Sequence, residues 1–227
     1  MQAHVKVFII MVLFGLTGFL IGCQSKNVKH SGFLTDYAKL QPGPKDGADW
    51  RYIKSGVDFR RYDKLMVDHI VFYFKEDSKY KGIHPEELQE LADAFHQALT
   101  EALKGAYPIV EDPGPDVLRL RAAITDLKTS NPGLNTVTSI IPVGLAISHI
   151  KKGMTGTHAN VGAATIEAEL LDSQTNTRLA MAVDEKAGEK YKIISGMDKW
   201  GHAKGAFEFW AQRIRKWLDE VHGRAEG

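Results

Sequence analysis

The sequence has little thiol chemistry and no excess of charge of either sign. Cys23 is its single cysteine, so no disulfide can form within the chain. Lysine and arginine number 29 against 28 aspartates and glutamates, which gives a formal net charge of +1. A chain this close to neutral, with no dense basic cluster, does not indicate a nucleic-acid partner.

The sequence also lacks the short motifs of common catalytic and metal sites. It contains no glycine-rich phosphate loop, no G-x-S-x-G turn, and no H-E-x-x-H or paired Cys/His zinc spacing. We therefore predict no cofactor, no metal and no enzymatic activity. The alternative of an enzyme with an unrecognised site would involve the scattered histidines His69, His149, His158 and His202.

The N-terminus has the pattern of an export signal. A weakly positive start, Met1–Lys6, precedes the apolar run Val7–Gly22. This run of 16 residues is shorter than the roughly 20 residues that a spanning helix needs.

The apolar run ends in Leu20-Ile21-Gly22-Cys23, which resembles the bacterial lipobox. The resemblance implies cleavage between Gly22 and Cys23 and acylation of the Cys23 thiol, which would attach the protein to membrane lipid. Gln24, rather than Asp, follows the cysteine. By the sorting rules of enterobacteria this implies the outer membrane, where we expect the protein to face the periplasm.

Hydrophobic periodicity predicts seven main elements. They are a strand over Tyr62–Phe74, a helix over Pro85–Leu103, a short strand over Ala106–Val110, strands over Val117–Lys128, Val161–Asp172 and Thr177–Ala187, and a helix over Asp198–Val221. The order β-α-β-β-β-β-α predicts an α+β fold. It is a two-layer sandwich with a mostly antiparallel sheet and two helices on one face.

The division of the chain follows from these elements. We predict a signal peptide over residues 1–22, a lipid tether and extended arm over 23–60, and a single α/β domain over 61–222. The arm contains Phe33, Leu34 and Tyr37, which are too apolar for a pure linker, so we expect it to lie against the domain.

Alternation along the predicted strands suggests how charged and apolar side chains pair. Arg119 and Arg121 could oppose Glu167 and Glu169 on the neighbouring strand and help to fix the register. In the following strand one alternating set is predicted to share a face: Leu179, Met181 and Val183.

Residues 131–160 form an insertion that is too long for a hairpin loop, and its centre, Leu134–Ile150, has no acidic or basic side chain. It either packs over the sheet or forms a protomer or membrane contact, and Pro142 argues against a spanning helix. The candidate interaction residues are Ile140, Ile141, Pro142, Val143, Leu145 and Ile147.

The mature chain resembles a family of bacterial lipoproteins filed as domain of unknown function 3313. The resemblance rests on the lipobox cysteine, on Ser31-Gly32-Phe33-Leu34-Thr35-Asp36-Tyr37 with Leu40, on Tyr62-Asp63-Lys64, and on Ile140–Gly144. It implies class and location but no mechanism.

The strand order is also similar to the small α/β domains of envelope proteins such as the curli secretion lipoprotein, in which long insertions build an oligomeric pore. The insertion here is shorter and is interrupted by Pro142.

We therefore expect a lipid-anchored, non-enzymatic binding or assembly module of the cell envelope. Its partners would be membrane lipid, through acylated Cys23, and either further copies of itself or another envelope protein. An oligomeric secretion or pore component that uses residues 134–150 is the first alternative, and a lipid-anchored enzyme is the second.

Overall fold

A computed structural model describes residues 30–74, 85–129, 161–187 and 201–224, which form a seven-stranded mixed sheet and two helices. The predicted α+β fold, with a mostly antiparallel sheet, is confirmed. The strands are β1 (Gln41–Pro42), β2 (Trp50–Ile53), β3 (Lys64–Val67), β4 (Val71–Phe72), β5 (Val117–Thr129), β6 (Val161–Asp172) and β7 (Arg178–Ala187), and the helices are α1 (Pro85–Leu103) and α2 (Gly201–Val221).

The sheet has the order β1-β2-β7-β6-β5-β3, and β4 also pairs with β5. Strands β3 and β4 run parallel to β5, whereas the other pairs are antiparallel. The strands β3 and β4 therefore join the sheet through β5, whereas the arm strands β1 and β2 join the opposite edge through β7.

The strand predicted over Tyr62–Phe74 is divided into β3 and β4 at Asp68. The Asp68 backbone N–H donates to the Leu120 carbonyl, and its carboxylate accepts two hydrogen bonds of 2.8 Å from the Arg119 guanidinium. This bidentate ion pair explains the break between the two strands, because it holds Asp68 against β5.

Two further elements differ from the prediction. The strand predicted over Ala106–Val110 is reduced to a single parallel bridge between Leu65 and Ile109, because only Leu65 exchanges backbone hydrogen bonds with that segment. In addition, the arm supplies β1 and β2, which the sequence analysis did not predict.

Both helices cover one face of the sheet, which we call the front face. Their buried side chains form one core with Leu120, Ala122, Ile124 and Ile166 of the sheet. Phe95 and Phe207 stack with ring centroids 5.0 Å apart, which joins α1 to α2. The buried helix residues are Leu88, Leu91, Phe95, Leu99, Ala102, Ala203, Ala206, Phe207, Trp210 and Ala211.

The N-terminal arm covers the opposite side of the sheet, which we call the back face. Leu34 is buried against Met181 and Val183 of β7. Around them pack the partly buried side chains of Phe33, Tyr37, Leu40, Trp50 and Tyr52.

A buried carboxylate fastens this arm. Glu167 lies on β6 with 0% of its surface exposed. Its carboxylate accepts hydrogen bonds from the Ser31 N–H at 3.1 Å, the Ser31 hydroxyl at 2.8 Å and the Tyr37 hydroxyl at 2.5 Å. We call Ser31, Tyr37 and Glu167 the arm clasp. A buried charge is costly unless donors surround it, so the arm is part of what makes Glu167 tolerable in the fold.

The Tyr37 hydroxyl organises the arm as well as binding Glu167. It accepts the N–H groups of Gly32 and Leu34 at 3.0 and 3.1 Å. Burial and the hydrogen bond to Glu167 raise the pKa of Tyr37 to about 12, so the hydroxyl keeps its proton at physiological pH.

The predicted charge pairing across β5 and β6 is correct in one of its two pairs. Arg121 and Glu169 are direct partners in the register and form an ion pair at 2.5 Å. Arg119 instead lies opposite Leu171 and binds Asp68, while Glu167 lies opposite Ala123 and binds the arm. An antiparallel register that pairs Arg121 with Glu169 places Glu167 opposite Ala123, so Glu167 is bound by the arm instead of by an arginine.

Replacement of Tyr37 by phenylalanine is expected to lower the free energy of unfolding by about 2 kcal/mol, because it removes one donor to a buried carboxylate and the acceptor of two backbone N–H groups. Urea unfolding measures the effect. Tyr52→Phe is the matched control, since among the described residues the Tyr52 hydroxyl makes no hydrogen bond. Equal losses for the two variants would contradict the clasp.

Candidate functional site

Helix α2 leaves part of the front face uncovered. It packs mainly on α1 and β6, and beyond it a cleft of about 310 Å³ opens over β7 and β2. The loop between β1 and β2 borders the cleft through residues 44–48. We call this space the α2 cleft. Its volume is at the lower end of the roughly 300–1,000 Å³ found for small-molecule sites.

The floor of the cleft is formed by short side chains. Ala168, Ala180 and Ala182 lie on the front face of β6 and β7, and their size leaves room between the sheet and α2. Ile53 borders the cleft from β2 and is 39% exposed, which is high for a large apolar side chain. Further apolar lining comes from Leu120, Ile166, Leu170, Trp210, Ile214 and Trp217, among others.

One end of the cleft is polar and centres on Asp184 of β7, which is 2% exposed. Its carboxylate accepts the Trp210 indole N–H at 2.8 Å and the Asp49 backbone N–H at 3.0 Å. The Lys186 ammonium and the Arg213 guanidinium each lie 3.5 Å from it. Burial raises the pKa of the Asp184 carboxyl, although the hydrogen bond from Trp210 and the charge of Lys186 act to lower it.

Arg213 closes the same end from α2. Its guanidinium lies 4.4 Å from the centroid of the Phe209 ring and donates through Nη2 to the Asp46 carbonyl at 2.7 Å. Its Nη1 is buried and makes no hydrogen bond with the described residues, but this atom faces the Asp184 carboxylate at 3.5 Å. Arg213 and Asp184 therefore form an ion pair without hydrogen-bond geometry.

The α2 cleft thus combines apolar volume with one charged end. Such a space can take up an apolar group and orient it through the polar atoms at its end. In the described ranges, no three His, Cys, Asp or Glu side chains are grouped closely enough to hold a metal ion.

The sequence analysis placed its site residues elsewhere. Gly22 and Cys23, and the segment with Ile140, Ile141, Pro142, Val143, Leu145 and Ile147, lie outside the described residues, as do His149 and His158. Of the remaining histidines, His69 is exposed and does not line the cleft.

The cleft residues were not recognised from the sequence, although one signal was present. Trp210 and Trp217 lie seven residues apart on α2, a spacing typical of a core-facing stripe, and Trp210 is buried in the core. The alanines on alternate positions of β7 signalled a face with unusually small side chains. Asp184 belongs to the same alternating set, so an acidic residue on a face of small side chains was the signal for the polar end of the cleft.

Comparisons with known proteins agree with the sequence resemblance. Residues 29–214 match the family model described as Protein of unknown function (DUF3313). The chain belongs to this family. It is 28% identical over 182 residues to the uncharacterized lipoprotein YdcL of Escherichia coli K12, an alignment that covers 75% of this chain and 78% of the relative.

Two solved structures resemble the chain more distantly. The PelC dodecamer from Paraburkholderia phytofirmans is 12% identical, with a TM-score of 0.37 and coverage of 72% of this chain and 96% of that one. A DUF330 protein from Xanthomonas campestris is also 12% identical, with a TM-score of 0.39 and coverage of 72% and 87%. At these TM-scores neither neighbour indicates a ligand or an assembly state.

Of the helices in the described ranges, neither α1 nor α2 is long and apolar enough to cross a bilayer.

Proposed function

We propose that this protein is a lipid-anchored, non-enzymatic binding module of the cell envelope and that the α2 cleft is its binding site. The observation that carries the proposal is the unequal covering of the two faces of one sheet. The arm is clasped onto the back face, while α2 leaves apolar side chains of the front face open to a cleft.

The lipid anchor is supported by the lipobox residues that end at Cys23 and by the similarity to a lipoprotein. Gln24 supports the outer membrane, where we propose that the protein faces the periplasm. Eight residue steps separate Cys23 from Ser31, the first residue of the arm clasp. At full extension these steps span no more than about 30 Å. The clasp would therefore hold the cleft within a short distance of the bilayer.

A binding role is favoured over catalysis by the pairing of the charged groups at the cleft. The Asp184 carboxylate is engaged by Trp210, Asp49, Lys186 and Arg213. It therefore serves as a fixed polar boundary to an apolar volume, and the proposal assigns it an orienting role.

Replacement of Cys23 by serine is expected to remove the lipid and release the protein from the membrane fraction, with an unchanged unfolding midpoint. The reason is that Cys23 precedes Ser31, the first residue of the arm clasp, and lies outside the described fold. Cell fractionation and thermal unfolding measure the two effects. Gln24→Ser is the neighbouring control and is expected to remain with membranes. A Cys23→Ser protein that is cleaved normally and stays in the membrane fraction would refute the anchor.

Cleft binding is tested with the mature chain carrying Cys23→Ser, so that no attached lipid competes. The uncharged dye N-phenyl-1-naphthylamine, which fluoresces in apolar surroundings, is expected to bind saturably. Ala182→Leu fills the floor of the cleft and should weaken binding by about tenfold or more.

The matched control is Ala38→Leu, at an exposed position of the arm outside the cleft. It is expected to bind the dye as the parent protein does. Absence of saturable binding, or equal binding by the two leucine variants, would overturn the proposed site.

A further inference from the structure

Charge is distributed unevenly along the α2 cleft. The register pairs Arg51 with Ala182 and Ile53 with Ala180, and the Asp49 backbone N–H contacts Asp184. The cleft therefore runs from an end at Asp184 to an end at Ala180 and Ile53. Arg213 lies at the Asp184 end, since its guanidinium contacts both Asp184 and the Asp46 carbonyl.

Two guanidinium groups lie near that end, and one of them has donors to spare. Arg51 projects from the front face of β2, borders the cleft and is exposed. It makes no ion pair or hydrogen bond with any residue of the four described ranges. The second group, Arg213, is already engaged, because its buried Nη1 faces the Asp184 carboxylate at 3.5 Å. The unused guanidinium donors of Arg51, beside an apolar volume, are complementary to carboxylate or phosphate oxygens.

The acidic groups of the cleft do not cancel this preference. Asp184 accepts hydrogen bonds from Trp210 and Asp49 and lies 3.5 Å from the cations of Lys186 and Arg213. Glu169 is bound on the back face by Arg121 and Arg178. Asp46 also borders the cleft and is exposed, and within the described ranges no ion pair joins it to Arg51. Glu220 lies two helical turns beyond Arg213 on α2, away from the Asp184 end, and it is exposed. Its charge would repel an anion from that side and so favours the same orientation.

We infer that the α2 cleft binds a single-chain amphiphile with an anionic head. The alkyl chain lies on Ala180, Ala182 and Ile53, and the head is held by Arg51. This inference rests on the proposed function, since it requires that the cleft binds a ligand. It adds the ligand class, the direction in which the ligand lies, and the residue that selects its charge.

Two probes with chains of matched length test the charge selection. Decanoate and decyltrimethylammonium, below their micelle concentrations, are titrated against bound N-phenyl-1-naphthylamine on the mature chain carrying Cys23→Ser. Decanoate is expected to displace the dye at a concentration at least about tenfold lower than the cation does.

Arg51→Gln is expected to raise the decanoate concentration needed for displacement by about tenfold, whereas Arg51→Lys, which keeps the positive charge, should retain most of the affinity. Each variant is scored against its own dye titration. The control Arg60→Gln removes an arginine that is 71% exposed, is paired with Asp58 and lies outside the cleft. It is expected to leave decanoate binding unchanged.

The outcomes separate the two proposals. If the dye does not bind, the cleft is not a binding site and both proposals fail. If the dye binds but the two amphiphiles displace it equally, or if Arg51→Gln and Arg60→Gln behave alike, the anionic ligand class is wrong while the binding site stands.

Discussion

The buried carboxylate of Glu167 is the constraint on which the arrangement of this protein depends. A charge with no exposure on the central strand β6 needs donors, and among the described residues these come from the arm and not from the sheet. The donors come from Ser31 and Tyr37, more than a hundred residues earlier in the chain. Satisfying Glu167 therefore requires that the arm lie across the back face, where it also buries Leu34. This accounts for the segment Ser31–Tyr37, which carried the family resemblance: its side chains form a clasp.

Closing the back face with the arm assigns the two faces of the sheet different roles. Both helices lie on the front face, yet α2 covers only part of it, and short side chains on β6 and β7 leave the α2 cleft beside the helix. The same arm connects the fold to Cys23, so the segment that closes one face also determines how far the cleft lies from a lipid attached there. In the function proposed for this chain, the clasp joins attachment at Cys23 and binding in the cleft within one structural unit.

The sequence predicted those elements whose hydrophobic periodicity matches the face that they bury in the structure. The stripes of α1 and α2 and the alternation in β5 and β6 are local patterns, and the structure contains these elements. The arm strands could not be predicted, because a four-residue strand such as β2 is stabilised by its partner β7 and not by its own pattern. The face assigned to Leu179, Met181 and Val183 was wrong for Leu179. A bulge between Leu170 and Leu171 moves it to the helix side, away from Met181 and Val183. The cleft escaped prediction for a related reason, since alternation does not reveal which face α2 leaves open.

The position of a bound ligand relative to the two faces is the most direct test of these conclusions. Trp210 and Trp217 line the α2 cleft, whereas Trp50 packs with the arm on the back face. In the fluorine NMR spectrum of the mature Cys23→Ser chain labelled with 5-fluorotryptophan, signals are assigned by single Trp→Phe substitutions. Addition of N-phenyl-1-naphthylamine is predicted to shift the Trp210 and Trp217 signals saturably and to leave Trp50 in place. A shift confined to Trp50, or no saturable shift at Trp210 and Trp217, would contradict binding in the cleft.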